Sequence, residues 1–139
     1  MRQTQTKKSG LANGEKKISG KKILIVEDER AMAKVLQLKL TKEGFITDTA
    51  FDGEVAISAL GKEKYDLILL DLVMPKVDGF GVMQWLKNKS IKTPVIITSN
   101  LSQDVDAKRS KELGAVDYFI KSDIAISEVV ERVKKVLFK

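Results

Sequence analysis

The sequence of 139 residues predicts an α/β fold, in which a doubly wound, five-stranded parallel sheet carries helices on both faces. From Lys22 onward, short apolar runs alternate with segments of helical period, which is the pattern of right-handed crossovers between parallel strands. One run, residues 67–70, is apolar at every position, as expected of a strand buried on both faces. Hydrophobic residues make up 43% of the chain, which suffices for one domain with a substantial core.

Five strands are predicted from these runs. The second strand is the least apolar, which suits an edge of the sheet. Pro94 stands just before the fourth strand, where its missing N–H is tolerated. The predicted strands cover residues 23–27, 46–50, 67–70, 95 to 98 or 99, and 116–120.

Five helices are predicted from apolar residues at helical spacing. Asp52 can cap the second helix, whereas Gly44 and Gly114 can adopt the left-handed conformation that ends the first and the fourth. The fourth helix, residues 102–113, has so few apolar residues that we expect it to be loosely docked and able to move. The last helix is expected to reach Lys139. The apolar sides are formed by Met32, Val35, Leu36 and Leu40; Val55, Ala56, Ala59 and Leu60; Val82, Met83 and Leu86; Val105, Ala107 and Leu113; and Val129, Val130, Val133, Val136 and Leu137.

The predicted strand order is 2-1-3-4-5, the flavodoxin-like arrangement that five doubly wound strands fit. Ligands of such sheets bind beyond the carboxyl ends of the strands. In this order Glu27 and Asp28, after strand one, lie beside Asp71, after strand three. Ser99 and Lys121 close strands four and five at the same edge. Each of these residues alone is commonly just a polar group at a strand end, but their shared edge indicates one site.

The three carboxylates predict a cation site. At a buried edge they would repel one another unless positive charge lay among them. Oxygen ligands alone favour Mg²⁺ over zinc or calcium. A hydroxyl and an ammonium facing that metal are what a phosphoryl group needs. No glycine-rich loop follows strand one, and the acidic residues there would repel a nucleotide's phosphates.

The composition excludes several classes of site. The chain has no cysteine and no histidine. Disulfides, thiolate or imidazole metal sites, an imidazole base and a phosphohistidine on this chain are therefore excluded. No apolar stretch is long enough for a membrane helix. We expect no membrane association and a cytoplasmic location.

The net charge of +6 lies in the first residues of the chain. Residues 1–22 hold seven basic side chains and one acidic side chain, and the other 117 residues hold 18 of each sign. Residues 1–21 are polar and are expected to form a disordered basic tail. A solvated segment is favoured over a nucleic-acid contact, so we expect no direct DNA binding.

Four sequence blocks carry a family resemblance. They are Ile25-Val26-Glu27-Asp28-Glu29; Asp71-Leu72-Val73-Met74-Pro75 with Asp78-Gly79; Pro94-Val95-Ile96-Ile97-Thr98-Ser99; and Gly114-Ala115-Val116-Asp117-Tyr118-Phe119-Ile120-Lys121. With these blocks in this order, residues 22–139 resemble the receiver domains of two-component response regulators, including the chemotaxis-regulator-like ones.

The resemblance implies a role for each matching residue. It makes Asp71 the phosphoacceptor, which attacks the phosphohistidine of a sensor kinase. Ser99 is the switch hydroxyl that moves to bond the phosphoryl group, and Lys121 pairs with that group. Tyr118 is the aromatic residue that turns inward in response.

The resemblance also implies the ligands of the metal. Asp28 and Asp71 would bind Mg²⁺ directly, together with the backbone carbonyl of Val73. Glu27 would reach it through water.

Three departures from the family pattern concern the rim of the site. Ser122 and Asp123 follow Lys121, where proline is usual, so the shape of that loop is open. Asn100 replaces a small residue and narrows access to Asp71. Val73 and Leu101 are apolar and cannot orient water, which predicts slow loss of the phosphate.

These observations predict a single-domain response regulator, which catalyses its own phosphorylation but turns over no external metabolite. Its partners would be a sensor histidine kinase or phosphotransfer protein and a downstream protein bound through helix four, strand five and helix five, with a phosphorylation-dependent dimer as a further option. A receiver-like adaptor that needs no phosphorylation is the main alternative. A flavin or nucleotide binder of the same topology is disfavoured by the acidic first loop.

Overall fold

The computed structural model describes residues 20–100 and 104–138. The predicted tail lies outside this range except for its last two residues. Five parallel strands form one sheet in the order β2-β1-β3-β4-β5, which confirms the predicted topology. The strands are β1 (Lys22–Val26), β2 (Ile46–Ala50), β3 (Leu67–Asp71), β4 (Val95–Ser99) and β5 (Asp117–Ile120).

Five helices cover the two faces of the sheet. They are α1 (Arg30–Lys42), α2 (Gly53–Lys62), α3 (Gly79–Asn88), α4 (Asp104–Glu112) and α5 (Ile126–Leu137). Alternate residues of each central strand point to opposite faces and build two cores. On one face Leu24, Ile68 and Ile97 pack with α2 and α3, and on the other Ile25, Leu69 and Ile96 pack with α1 and α5.

Burial on both faces explains the apolar sequences of the central strands. All five residues of β3 and of β4 are buried. The edge strand β2 is buried only at Ala50. The amphipathic α5 buries Val129, Val130 and Val133 as predicted.

Three helices end in the same hydrogen-bonded turn. At the end of α1, Gly44 N–H donates to Thr41 and Phe45 N–H donates to Leu40, and Gly44 has φ +107°. The same pair of hydrogen bonds, called a Schellman motif, follows α4 at Gly114. It also follows α3, but there Ser90 holds the left-handed position with φ +57°. The two glycine ends were predicted, and the serine end was not.

Several predicted boundaries differ from the structure. The first strand ends at Val26 rather than Glu27, although Glu27 N–H still donates to the Ala50 carbonyl at 3.0 Å. The third strand includes Asp71, and the fifth starts at Asp117 rather than at residue 116. Residues 102 and 103 of the predicted fourth helix lie outside the described range. The last helix ends at Leu137, and Lys139 also lies outside that range.

Two residues placed on apolar helix sides are solvent-exposed. Val35 and Val55 are exposed. In α1 Ala33, which was not predicted there, faces the core, and in α2 Ala56 faces the core as predicted. Small residues fit there because both helices pack closely on the sheet. Among the α4 side chains that the structure describes, from Asp106 to Glu112, the buried one is Ser110, whose hydroxyl donates to the carbonyl of Asp106 at 2.8 Å.

Candidate functional site

The carboxyl edge of the sheet brings Asp71 and Glu27 together. Asp71 is the last residue of β3, and Glu27 follows the neighbouring β1. Their exposed fractions are 3% and 1%, so both carboxyl groups are buried. Buried carboxylates need a compensating charge, because their transfer from water is costly.

Lys121 supplies a positive charge between them. Its Nζ lies 2.9 and 3.1 Å from the two carboxylate oxygens of Glu27 and 3.2 Å from Oδ2 of Asp71. A longer contact of 3.5 Å reaches Oε1 of the exposed Glu29. The side chain of Lys121 is 9% exposed. One ammonium therefore contacts three carboxylates.

Burial is the main cause of the shifted pKa values of the two carboxyl groups. Burial raises the pKa of Asp71, and Asp28 raises it further, against the lowering effects of Lys121 and of the Val73 N–H. Burial likewise raises the pKa of Glu27, although its bond with Lys121 opposes the rise. Burial lowers the pKa of Lys121, but the bond with Glu27 and the charge of Asp71 outweigh it, so that this pKa is raised.

The site has the ligand set of a divalent cation. One carboxylate oxygen from each of Glu27, Asp28 and Asp71 lies within 4.8 Å of the others. Asp28 is the most accessible of the three to solvent. Three acids against one ammonium leave a net negative charge, and oxygen-only ligands are those that Mg²⁺ prefers. These residues therefore fit a magnesium ion.

The loop after β3 is held close to Asp71. The Gly79 N–H donates to the Leu72 carbonyl at 2.9 Å. A Cβ at Gly79 would lie 2.5 Å from the carbonyl oxygen of Asp71 and 2.7 Å from Cα of Leu72. Only glycine allows this approach. The Val73 N–H donates to Oδ1 of Asp71 at 3.2 Å, which orients the carboxylate.

Ser99 and Tyr118 lie on neighbouring strands at the same edge. Ser99 is fully buried at the end of β4, and Tyr118 is half-buried on β5. Burial raises the pKa of the Tyr118 phenol, and Asp106 and Asp71 add to this rise, against a hydrogen bond with Ser99 that lowers it. The hydroxyl and the aromatic residue named from the sequence are thus in contact.

Two of the departures from the family pattern can be located at the rim of the site. Lys121–Asp123 form a 3₁₀ turn, so the chain without proline follows a tight turn there. The Val73 side chain is 57% exposed, next to Asp71. Leu101 lies outside the described residues.

An arginine stacked on an aromatic ring at this rim was not predicted from the sequence. The guanidinium carbon of Arg30 lies 4.0 Å from the centroid of the Phe51 ring. The two residues are far apart in sequence and carry no periodic signal. The only hint in the sequence is that Phe51 directly follows the second strand and Arg30 comes four residues after the end of the first.

A family model matches most of the chain. The model of the response regulator receiver domain matches residues 23–134. The chain therefore belongs to the response regulator receiver domain family, whose members are signalling domains of two-component systems.

Curated relatives share this domain. The alkaline phosphatase synthesis transcriptional regulatory protein PhoP of Bacillus subtilis is 38% identical over 117 residues, which are 84% of this chain and 48% of PhoP. The probable transcriptional regulator ycf27 of Guillardia theta is 38% identical over 116 residues, which are 84% of this chain and 45% of that protein. The chain thus spans about half the length of the curated relatives that it matches.

Solved structures agree with this assignment. The receiver domain of the Francisella response regulator 1452 has a TM-score of 0.80 and 31% identity, covering 85% of this chain and 97% of that one. TrrA of Thermotoga maritima, solved in complex with Mg²⁺-BeF, has a TM-score of 0.74 and 33% identity, covering 83% and 97%. Among the described residues, none of the helices has the length and apolar character needed to cross a membrane.

Proposed function

We propose that this chain is a phosphorylation-switched response regulator in which Asp71 accepts a phosphoryl group from a sensor histidine kinase or a phosphotransfer protein. The observation that carries the proposal is the buried contact of Lys121 with both Asp71 and Glu27. A structural lysine would need only one carboxylate partner. Three acids around one ammonium leave an excess of negative charge that a divalent metal ion can offset, and the metal ion and Lys121 together can then bind a phosphoryl group.

In the proposed reaction a carboxylate oxygen of Asp71 bonds to phosphorus. The bond from phosphorus to the donor's imidazole nitrogen breaks, and its electron pair stays on the imidazole. The Val73 N–H orients the attacking carboxylate. Lys121 is placed to bind the transferred phosphoryl oxygens, and Ser99 is the hydroxyl that bonds them after transfer.

The proposed metal ligands are the side chains of Asp28 and Asp71 and the carbonyl of Val73, with Glu27 acting through water. When bound, Mg²⁺ shares the negative charge of the phosphoryl oxygens. Glu27 and Lys121 also hold each other in place, which keeps the ammonium beside Asp71 before any donor arrives.

The proposed output is altered docking of a downstream partner on α4, β5 and α5, in the cytoplasm. Two features of the described residues support it. Tyr118 connects Ser99 to this surface, and among the α4 side chains that the structure describes, from Asp106 to Glu112, the buried one is the polar Ser110. A helix held to the core by a small polar side chain there can shift at low energetic cost.

The proposal is tested by phosphate incorporation. Incubation with Mg²⁺ and acetyl phosphate should label the wild-type protein stoichiometrically, whereas omission of Mg²⁺ or the Asp71→Asn substitution should abolish labelling. Asp52→Asn is the matched control, since this cap of α2 is a carboxylate of the same edge that we place outside the site. A folded protein that takes up no phosphate would support the phosphorylation-independent adaptor.

A further inference from the structure

We infer that Arg30, held on the ring of Phe51, is a positioning residue that draws the dianionic phosphoryl donor to the mouth of the Asp71 site. This inference rests on the proposed function and extends it to the approach of the donor. It concerns a residue outside the acids, hydroxyl and lysine described above.

The sheet register places the pair at the site. Val26 of β1 lies opposite Ala50 of β2. Glu27 and Phe51 each come one residue later, so they leave the sheet side by side at its carboxyl edge. Arg30 begins α1 three residues after Glu27. The stacked pair therefore forms the rim on the β2 side, across the site from Lys121.

The charges of the site create the need for such a residue. Glu27, Glu29 and Asp71 all contact Lys121, and Asp28 adds a fourth carboxylate to the cluster. A dianionic donor approaching this cluster meets net negative charge. A cation at the rim offsets this repulsion and raises the rate of productive encounter.

Among the described residues, the acids near Arg30 do not neutralise it in an ion pair. Within the described ranges, no carboxylate forms an ion pair with its guanidinium. Glu29 contacts Lys121 at 3.5 Å instead. Asp52 accepts the Val55 N–H at 2.8 Å and lies 3.9 Å from Lys76.

The stack on Phe51 accounts for this arrangement. A guanidinium above an aromatic ring is attracted through its flat face, and its N–H groups at the edge stay available. These edge groups match phosphoryl oxygens, which arginine binds in a forked geometry. Phe51 thus keeps Arg30 away from the neighbouring carboxylates and presents it to an anion.

The test measures the second-order rate constant of phosphorylation in excess Mg²⁺. Arg30→Gln should lower this constant about threefold to tenfold with acetyl phosphate. The loss should be smaller with phosphoramidate, which carries one negative charge less, and should shrink as salt is added. The Mg²⁺ affinity, measured by calorimetry, should not fall, because removal of a nearby positive charge cannot weaken the attraction of a cation.

Two substitutions of Phe51 distinguish the positioning of Arg30 from a general effect of net charge on the rate. Phe51→Ala should slow phosphorylation by acetyl phosphate although no charge is lost, because Arg30 is then free to pair with Asp28 or Asp52. Phe51→Tyr keeps the stack and should retain the wild-type rate. Lys62→Gln removes an equal charge at the far end of α2 and should have no effect. Circular dichroism checks that each variant is folded.

The outcomes are distinguishable from those of the proposed function. If wild-type protein is not phosphorylated at all, both the function and this inference are wrong. If wild-type protein is phosphorylated and Arg30→Gln reacts at the same rate, or loses only as much as Lys62→Gln, this inference alone is overturned. A changed Mg²⁺ affinity in Arg30→Gln that accounts for the rate loss would overturn it as well.

Discussion

The ammonium nitrogen of Lys121 lies 3.2 Å from Oδ2 of Asp71, although Asp71 ends β3, Lys121 follows β5, and β4 separates these two strands. This ion pair is buried, since the two side chains are 9% and 4% exposed. A buried pair stabilises a fold only when its charges are balanced. Here Lys121 is shared with Glu27, so Asp71 is only partly compensated.

Neutralising Asp71 should therefore stabilise the metal-free protein. Its raised pKa means that the ionised carboxylate costs free energy in the folded state. Asp71→Asn should raise the free energy of unfolding by about 1 kcal/mol in urea denaturation with EDTA present. Added Mg²⁺ should reduce this difference, because it binds the wild-type site better.

Lys121→Gln is the control, and it should change the free energy of unfolding in the opposite direction. It leaves Glu27 and Asp71 buried without a counter-ion, so it should lower the free energy of unfolding by about 3 kcal/mol. If Asp71→Asn were instead as destabilising as Lys121→Gln, the site would be a balanced structural ion pair, and our account of its charge would be wrong.

The stabilisation by Asp71→Asn should depend on pH. The pKa of Asp71 is raised in the folded protein above its usual 3.8, so the folded state holds its proton more tightly than the unfolded chain does. Below pH 3.8 Asp71 is protonated in both the folded and the unfolded state, so the substitution adds no stability. The added stability grows as the pH rises from the usual pKa to the raised pKa of the folded state, and it is complete above the latter. Unfolding curves at about pH 4 and about pH 8 measure this change; a gain that is largest at the lower pH would contradict it.

Gly79 should be essential to the geometry of the site. A Cβ there would meet backbone atoms of Asp71 and Leu72, which cannot move without displacing β3. Gly79→Ala should lower the free energy of unfolding by about 2 to 3 kcal/mol and weaken Mg²⁺ binding. In Gly61→Ala the new Cβ would contact nothing within 4 Å in α2. The free energy of unfolding of this control should rise by about 0.5 to 1 kcal/mol. Equal effects of the two substitutions would show that the close approach of Gly79 to Asp71 and Leu72 is unimportant.

The end of α3 offers a stabilising substitution. Ser90 adopts φ +57° in a Schellman motif, a conformation that glycine accepts without strain. Ser90→Gly should raise the free energy of unfolding by about 0.5 to 1 kcal/mol, measured by urea denaturation. Gly114→Ser places the same strain at the end of α4, where φ is +106°, and should be destabilising. A loss of stability in Ser90→Gly would contradict this interpretation of the turn.

The apolar Val73 should prolong the phosphorylated state. Its exposed side chain lies at the mouth of the site and cannot orient water. Val73→Gln should speed the loss of phosphate severalfold, because an amide can position the attacking water. Val73→Met, similar in size but nonpolar, should not. Decay of labelled protein after removal of the donor measures both rates, and a faster decay in Val73→Met than in Val73→Gln would refute the idea.

The sequence predicted the parts of the fold that follow a repeating pattern. The apolar run of β3 and the alternation of strands and helices were enough for the strand order, and the strand ends then placed Glu27, Asp71, Ser99 and Lys121 at one edge. The exposed Val35 was not predicted, because helical spacing leaves the packed side uncertain by about one residue position.

Other features depend on contacts that have no local signature. Ser90 ends α3 in a conformation that serine seldom adopts, so no signal in the sequence marked this helix end. The stack of Arg30 on Phe51 joins two surface residues brought together only by the pairing of β1 with β2. The three contacts of Lys121 likewise depend on side-chain packing, and the sequence predicted only that its ammonium lies at this edge.

The central claim is that Asp71 is the phosphorylated residue, and chemical mapping tests it most directly. Protein labelled with acetyl phosphate and Mg²⁺ is treated with borohydride, which reduces an aspartyl phosphate to homoserine. The protein is then digested, and the masses of its peptides are measured by mass spectrometry. We predict that conversion occurs at Asp71 alone. Conversion at Asp28 or at any other carboxylate, or labelled protein with Asp71 unchanged, would contradict the account.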